Sequence, residues 1–258
     1  MYIKNINLQK HSSIKIGQIV EVLMIELGDE IPSNRYLIAG ANNLLLSDNP
    51  PPLMMLSKDF AFIKEEDDFL IIGASMPTGR IVSYARKHDI AGFEFCAKLP
   101  GTMGGMVAMN AGVKSYEIFN ILHSVKMNGE WILKEDITHG YRFASLSAVV
   151  THVRFKIIKG FSQELLDELK DLRSNQPSEP SAGSAFKNPE GDYAGRLIEA
   201  VGLKGFRKGD MAWSEVHSNF LVNLGQGTYE EAKFLIDLAK EKVLEKFAIE
   251  MQEEIKIL

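Results

Sequence analysis

Leu99-Pro-Gly-Thr-Met-Gly-Gly105, followed by Asn110-Ala-Gly112, is the stretch on which the fold reading turns. It places four glycines in twelve residues, with no β-branched side chain inside Gly104-Gly105, so the backbone can approach a ligand closely. Successive exposed N–H groups in such a run form an anion-binding concavity suited to a pyrophosphate. The alternative is a glycine-rich turn before a small-residue helix, and composition alone weighs the two about equally. A second loop, Ala39-Gly-Ala-Asn-Asn-Leu-Leu45, follows the apolar run Tyr36–Ala39 and by itself reads as an Asx turn. Two such loops in one lobe favour a single extended phosphate-bearing ligand.

Working outward, Tyr36–Ala39 and Phe69–Ile72 are compact apolar runs that each meet a glycine, the pattern of short strands in a mixed α/β lobe. Pro50-Pro-Pro52 between them is a stiff break. Residues 80–88 have helical spacing, with Ile81, Tyr84 and Ala85 on one face, and residues 149–155 read as the strand that closes the lobe. A polar helix is expected over 162–175, with Leu165, Leu166, Leu169 and Leu172 on its apolar side, ending at Gln176-Pro177. Pro177–Gly183 has the chemistry of a linker or ordered loop. A second helix is expected over 229–247, with Ala232, Leu235, Ile236, Ala239, Val243 and Leu244 inward, Thr228 as N-cap and Glu231 completing a capping box. Residues 249–257 alternate apolar and charged side chains, a strand pattern interrupted at Glu253.

The chain has 258 residues, and at about 150 residues per domain this predicts two lobes or one subdivided domain. Apolar residues make up 45% and charged residues 24%, which excludes disordered, collagen-like and coiled-coil classes. The net charge of −5 provides no broad positive field for nucleic acid or an anionic membrane. A lone cysteine, Cys96, excludes an intrachain disulfide framework and a thiolate metal site, and implies a reducing compartment. The N-terminus lacks a signal-peptide pattern, and no apolar run approaches the ~20 residues of a membrane span, so a cytoplasmic protein is expected. No obligate protein partner is inferred. The six histidines are never at metal-ligand spacing, so no metal is expected. Dinucleotide G-x-G-x-x-G and P-loop patterns are absent.

The third informative element is Pro180-Ser-Ala-Gly-Ser-Ala-Phe-Lys-Asn-Pro189. Ser184 lies between Gly183 and Ala185, beside Lys187 and Asn188, without the G-x-S-x-G elbow of a hydrolase nucleophile. A hydroxyl next to a cation and an amide can donate a proton or bind phosphate; a plain turn serine is the blander reading.

Taken in order, Asn42-Asn-Leu-Leu45, Pro100–Gly105, Asn110–Gly112, Gly140-Tyr-Arg142, Gln176-Pro177, Gly183–Pro189, Ala194–Glu199, Gly202–Gly205, His217–Asn223 and the Glu-Glu-Ile end resemble the UDP-N-acetylenolpyruvoylglucosamine reductases. The resemblance runs from about His11 to Ile257. It implies an α+β protein with a vanillyl-alcohol-oxidase (PCMH-type) FAD-binding lobe of two subdomains, residues 1–56 joined by a C-terminal strand at 249–258, and residues 57–160. A C-terminal α+β substrate-binding domain would occupy 161–248.

The same resemblance implies FAD as cofactor, bound by Gly40, Ala41, Asn42, Asn43, Leu44, Pro100, Gly101, Thr102, Gly104, Gly105, Asn110 and Gly112. NADPH would be the reductant, alternating at one site with UDP-N-acetylglucosamine enolpyruvate. Ser184 matches the family's proton donor, Arg142 its carboxylate-binding arginine and Glu254 its C-terminal glutamate, with Glu253 an off-by-one rival. Lys187, Asn188 and Tyr193 are candidates for substrate binding. Two departures stand out. The family's usual first loop is Gly-x-Gly-Ser-Asn-Leu, where this chain has Gly40-Ala-Asn-Asn-Leu44, and the interval from Arg142 to Ser184 is short, as in the subclass without an extra tyrosine-bearing loop. A flavoprotein oxidase on the same fold, or a non-catalytic flavin or nucleotide-sugar binder, would not need Ser184, Arg142 and Glu254 together.

Overall fold

The computed structural model describes residues 1–171 and 175–258; Leu172, expected on a helix face, lies outside them. Contacts divide the chain into two compact units. The first comprises residues 1–4, 22–40 and 52–174, the second residues 5–21, 41–51 and 175–258, so the chain changes unit within the Pro50–Pro52 break.

In the first unit, residues 22–25 of the strand Ile19–Ile25 and the strand Tyr36–Leu37 flank Leu53–Leu56 in a small parallel arrangement. A larger antiparallel sheet has the order Glu130–Leu133, Leu122–Met127, Val150–Lys156, Phe69–Gly73, Ile63–Glu66. The 150–156 strand, last of the five in the chain, sits at the centre of the sheet. Asn128 and Gly129 (φ +50° and +84°) join the 122–127 and 130–133 strands through a turn with both central residues at positive φ, the two-residue geometry that matches strand twist.

One face of this sheet buries Leu70, Ile72, Leu122, Val125, Val153 and Phe155, each contributing about 1.5–3 kcal/mol of burial. Against them pack Ile81 and Ala85 of the helix Thr78–Lys87, Met103, Met106 and Val107 of the short helix Met103–Ala108, and Leu166 and Leu169 of the helix Gln163–Asp171. Cys96 lies in this core and burial pushes its thiol far up, so it packs as an apolar residue.

The second unit holds an antiparallel sheet in the order Ser181–Ser184, Phe220–Asn223, Met211–Trp213, Arg207–Lys208. Its core joins Phe186, Trp213 and Leu221 to Leu197 and Ile198 of the helix Ala194–Ala200 and to Leu235, Ile236, Ala239 and Val243 of the helix Tyr229–Phe247. Leu244, expected inward, is exposed: it lies one residue, about 100° of helix, past Val243, which takes the buried position.

The long helix opens as its sequence dictates. Thr228 Oγ1 accepts the Glu231 N–H at 3.2 Å and Glu231 Oε2 accepts the Thr228 N–H at 3.2 Å. The expected strand over 249–257 is reduced to Lys256–Ile257, paired in parallel with Leu44–Leu45, and a single bridge between Glu253 and Phe186. Glu253 stands where alternation calls for an apolar residue, and its carboxylate pairs with Lys240 at 2.7 Å instead. Thr228→Ala is expected to lower the unfolding free energy by about 1 kcal/mol, read from urea denaturation.

Candidate active site

The glycine-rich loop of the first unit is held in place by its own backbone. Thr78 Oγ1 donates to the Leu99 carbonyl at 2.6 Å and the Thr78 N–H donates to Gly101 at 3.1 Å. Met103 and Gly104 donate N–H groups to Met76 and Ala74, at 2.9 and 2.8 Å. A Cβ on Gly104 would come within 3.0 Å of Ala74 Cβ, so this glycine lets the short helix press onto the end of the 69–73 strand. Gly101 has φ +138°. Beside Gly105, Thr102 Oγ1 is buried with no hydrogen-bond partner among the described residues. An unpaired buried hydroxyl costs about 1–3 kcal/mol, and a phosphate oxygen is the partner that would relieve it. The loop thus fits the pyrophosphate of the expected FAD.

Arg142 occupies a two-residue turn between His139–Gly140 and Phe143–Ala144, at φ +60°. That left-handed conformation costs a non-glycine residue roughly 1–2 kcal/mol. The guanidinium Nη2 donates to the Gly112 carbonyl at 3.1 Å, and Nη1 lies 3.7 Å from Glu117 Oε1. Gly112 pairs with Glu117 so closely that a Cβ would lie 2.1 Å from the Tyr116 oxygen. Asn110, buried and at φ +40°, donates from Nδ2 to Glu117 Oε2 at 2.8 Å and to the Gly140 carbonyl at 3.0 Å, while its Oδ1 accepts from Phe119 N–H at 3.3 Å.

In the second unit Ser184 ends a strand rather than lying in a loop. Its strand pairs with Phe220–Asn223 through a register irregularity between Ser181 and Ser184, and Gly183 takes φ +79° there. The next residue, Ala185, accepts backbone N–H groups from Glu254 at 2.8 Å and Ile255 at 3.3 Å, and Lys187 N–H donates to Gln252 at 2.9 Å. Ser184, Lys187 and Glu254 are thereby carried on adjoining backbone. Asn43 Nδ2 donates to the Glu254 carbonyl at 2.9 Å, tying the first loop to the same segment.

Burial favours the neutral form of Glu253, yet the Lys240 ammonium 2.7 Å away, a backbone hydrogen bond and the Lys233 charge together hold the carboxyl below the usual range. Glu253 is therefore engaged by Lys240. Ala41 is buried at φ +48°, the backbone conformation in which the family's usual loop has glycine.

Residues 176–258 match the family model described as UDP-N-acetylenolpyruvoylglucosamine reductase, C-terminal domain. Over 257 residues, covering 98% of each chain, the protein is 46% identical to the UDP-N-acetylenolpyruvoylglucosamine reductase of Helicobacter hepaticus. The chain belongs to this reductase family. It is also 43% identical to the Campylobacter jejuni (strain RM1221) reductase, with 98% of this chain and 99% of that one covered. The crystal structure of the Thermus caldophilus reductase superposes with a TM-score of 0.85 at 29% identity, covering 100% and 99% of the two chains. The α+β class expected from the sequence is the one observed.

Of the residues matched to the reductase motifs, Arg142 and the Pro100–Gly112 loop lie in the first unit, and Ser184, Lys187 and Glu254 in the second. Asn188 does structural work: its Oδ1 accepts the Ala194 N–H at 3.0 Å, at the start of the 194–200 helix. Tyr193 is 69% exposed, and its N–H donates to Asp192, a carboxylate held down to about 2 by the Arg196 guanidinium and by that N–H. The buried amide of Asn219 bonds both the N–H and the carbonyl of Phe186, at 3.0 and 2.8 Å.

Glu117, which the sequence does not single out, is brought beside Arg142 by the pairing of Gly112 with Glu117. Asn219→Ala would orphan the two Phe186 backbone groups, so a loss of about 2–4 kcal/mol in stability is expected by denaturant titration. His217 is half-buried, its pKa is lowered by desolvation, and its Nδ1 accepts the Asn219 N–H at 3.3 Å. Its unfolded form binds protons more readily, so stability should fall as pH drops below about 6.5, and His217→Gln should flatten part of that slope.

Proposed function

We propose that this protein is a UDP-N-acetylmuramate dehydrogenase. It reduces the enolpyruvyl ether of UDP-N-acetylglucosamine enolpyruvate, at the expense of NADPH, to the lactyl ether of UDP-N-acetylmuramate. The product serves peptidoglycan synthesis in the bacterial cytoplasm, and through it cell-wall biogenesis, cell shape and division. No helix among the described residues is long and apolar enough to cross a membrane. Residues 1–56, 57–160 and 249–258 form the FAD-binding lobe in this reading, and 161–248 the substrate domain.

The observation that carries the proposal is the joint presence of Arg142, Ser184 and Glu254 in a chain whose glycine loop presents a buried, unpartnered Thr102 hydroxyl for phosphate. Residues 40–44, Pro100–Gly105, Asn110 and Gly112 would hold FAD, which would supply hydride transfer from NADPH to the β-carbon of the enolpyruvyl ether. Negative charge then develops at the α-carbon and its carboxylate. The Arg142 guanidinium grips that carboxylate and stabilises the enolate-like state. Glu254, in its acid form, would share a hydrogen bond with the same group. Ser184 delivers the proton to the α-carbon. A serine hydroxyl is a weak acid, and the Lys187 ammonium, three residues along, supplies the positive charge that eases its ionisation. Lys187, Asn188 and Tyr193 contribute to binding the sugar nucleotide, which alternates with NADPH at one site.

Stopped-flow absorbance on Ser184→Ala tests the assignment. NADPH should reduce the flavin at nearly the wild-type rate, while reoxidation by the enolpyruvyl substrate slows by about 10²–10⁴-fold. Equal loss in both half-reactions would remove Ser184 from the proton-donor role. Arg142→Ala should purify with its full flavin complement and lose only the substrate half-reaction; a colourless protein would make Arg142 a structural residue.

A further inference from the structure

We propose that Glu117 is a positioning residue for Arg142, held in place by Asn110; the inference rests on reading Arg142 as the group that grips the substrate carboxylate. An arginine presenting a planar fork to a carboxylate works only if its long stem is fixed, and here the fixing comes from behind the guanidinium. Nη2 donates to the Gly112 carbonyl at 3.1 Å and Nη1 faces Glu117 Oε1 at 3.7 Å. Both side chains are mostly withdrawn from solvent, at 18% and 22% exposure, which reduces screening of the charge pair.

The two oxygens of Glu117 do different work. Oε1 faces the guanidinium, while Oε2 accepts from Asn110 Nδ2 at 2.8 Å. The same Asn110 nitrogen donates to the carbonyl of Gly140, two residues before Arg142, at 3.0 Å. A single buried amide therefore fixes both the carboxylate that aims the fork and the strand that enters the Arg142 turn. With both Nδ2 hydrogens committed in this way, the Asn110 amide acts on Arg142 through Glu117 and the Gly140 carbonyl. The close pairing of Gly112 with Glu117, which admits no side chain at 112, completes the bracket.

The test uses the flavin-loaded protein. Glu117→Gln keeps the size of the side chain but has one acceptor oxygen and no charge, so it cannot serve Asn110 and Arg142 at once. Its flavin content and its rate of reduction by NADPH should stay within about twofold of wild type. Reoxidation by UDP-N-acetylglucosamine enolpyruvate should slow by about 10–100-fold, the scale of a misdirected reacting group. Glu117→Asp, which restores the charge one methylene short, should fall between. In the Arg142→Ala background, Glu117→Gln should cost nothing further. A multiplicative loss in that double variant, equal losses in both half-reactions, or an unchanged reoxidation rate in Glu117→Gln alongside a slow Arg142→Ala would overturn the proposal. A wild-type reoxidation rate in Arg142→Ala would instead overturn the reading of Arg142 beneath it.

Discussion

The carbonyl of Ala185 accepts two backbone donors, Glu254 at 2.8 Å and Ile255 at 3.3 Å, and the local arrangement of the second unit depends on that junction. It joins segments some seventy residues apart in sequence, setting Ser184 and Glu254 on neighbouring stretches of chain. Asn219 braces the same place from the other side, bonding Phe186 at both its N–H and its carbonyl. Asn43 then binds the Glu254 carbonyl, so a loop from early in the chain is fastened to the last ten residues. Backbone bonds fix a residue more rigidly than side-chain contacts can, because they carry no rotamer freedom.

In the first unit the corresponding constraint is steric. Gly112 lies so close to the opposing backbone that no side chain fits, and its carbonyl is thereby delivered to Arg142. Arg142 itself sits at φ +60°, a conformation that persists only where the surroundings over-determine it. Asn110 and Gly112 supply that over-determination through hydrogen bonds to the Gly140 carbonyl and from the Arg142 guanidinium, and Glu117 through its carboxylate 3.7 Å from Arg142 Nη1. Strain of this kind gathers where a side chain must be aimed, the role proposed for Arg142.

Much of this was legible in the chain, and for physical reasons. The 229–247 helix announces itself through Ala232, Leu235, Ile236 and Ala239 on one face and through the Thr228–Glu231 cap, both local properties. Phe69–Gly73 and Val150–Lys156 were visible as apolar runs, but their places in the sheet were not, since strand order is set by long-range pairing. The Ser181–Ser184 strand was hidden by its Pro, Ser and Gly content, which mimics a linker; its hydrogen bonds come from the distant 220–223 strand. The C-terminal pattern was read correctly as alternating, yet a single charged residue, Glu253, diverted to Lys240 and shortened the strand to two residues. The candidate site divides in the same way. Motif order singled out Arg142, Ser184 and Glu254, whereas Glu117 carries no motif, and its contribution exists only through the folded pairing with Gly112 and Asn110.

The central claim is a flavoprotein that passes reducing equivalents from NADPH to an enolpyruvyl sugar nucleotide. The most direct measurement is anaerobic absorbance of the purified wild-type protein, with NADPH added first and UDP-N-acetylglucosamine enolpyruvate second. The account predicts that the flavin band bleaches with NADPH and returns rapidly when the sugar nucleotide is added. A flavin that bleaches but ignores the sugar nucleotide, or a protein that takes up no flavin even when FAD is supplied, would contradict it.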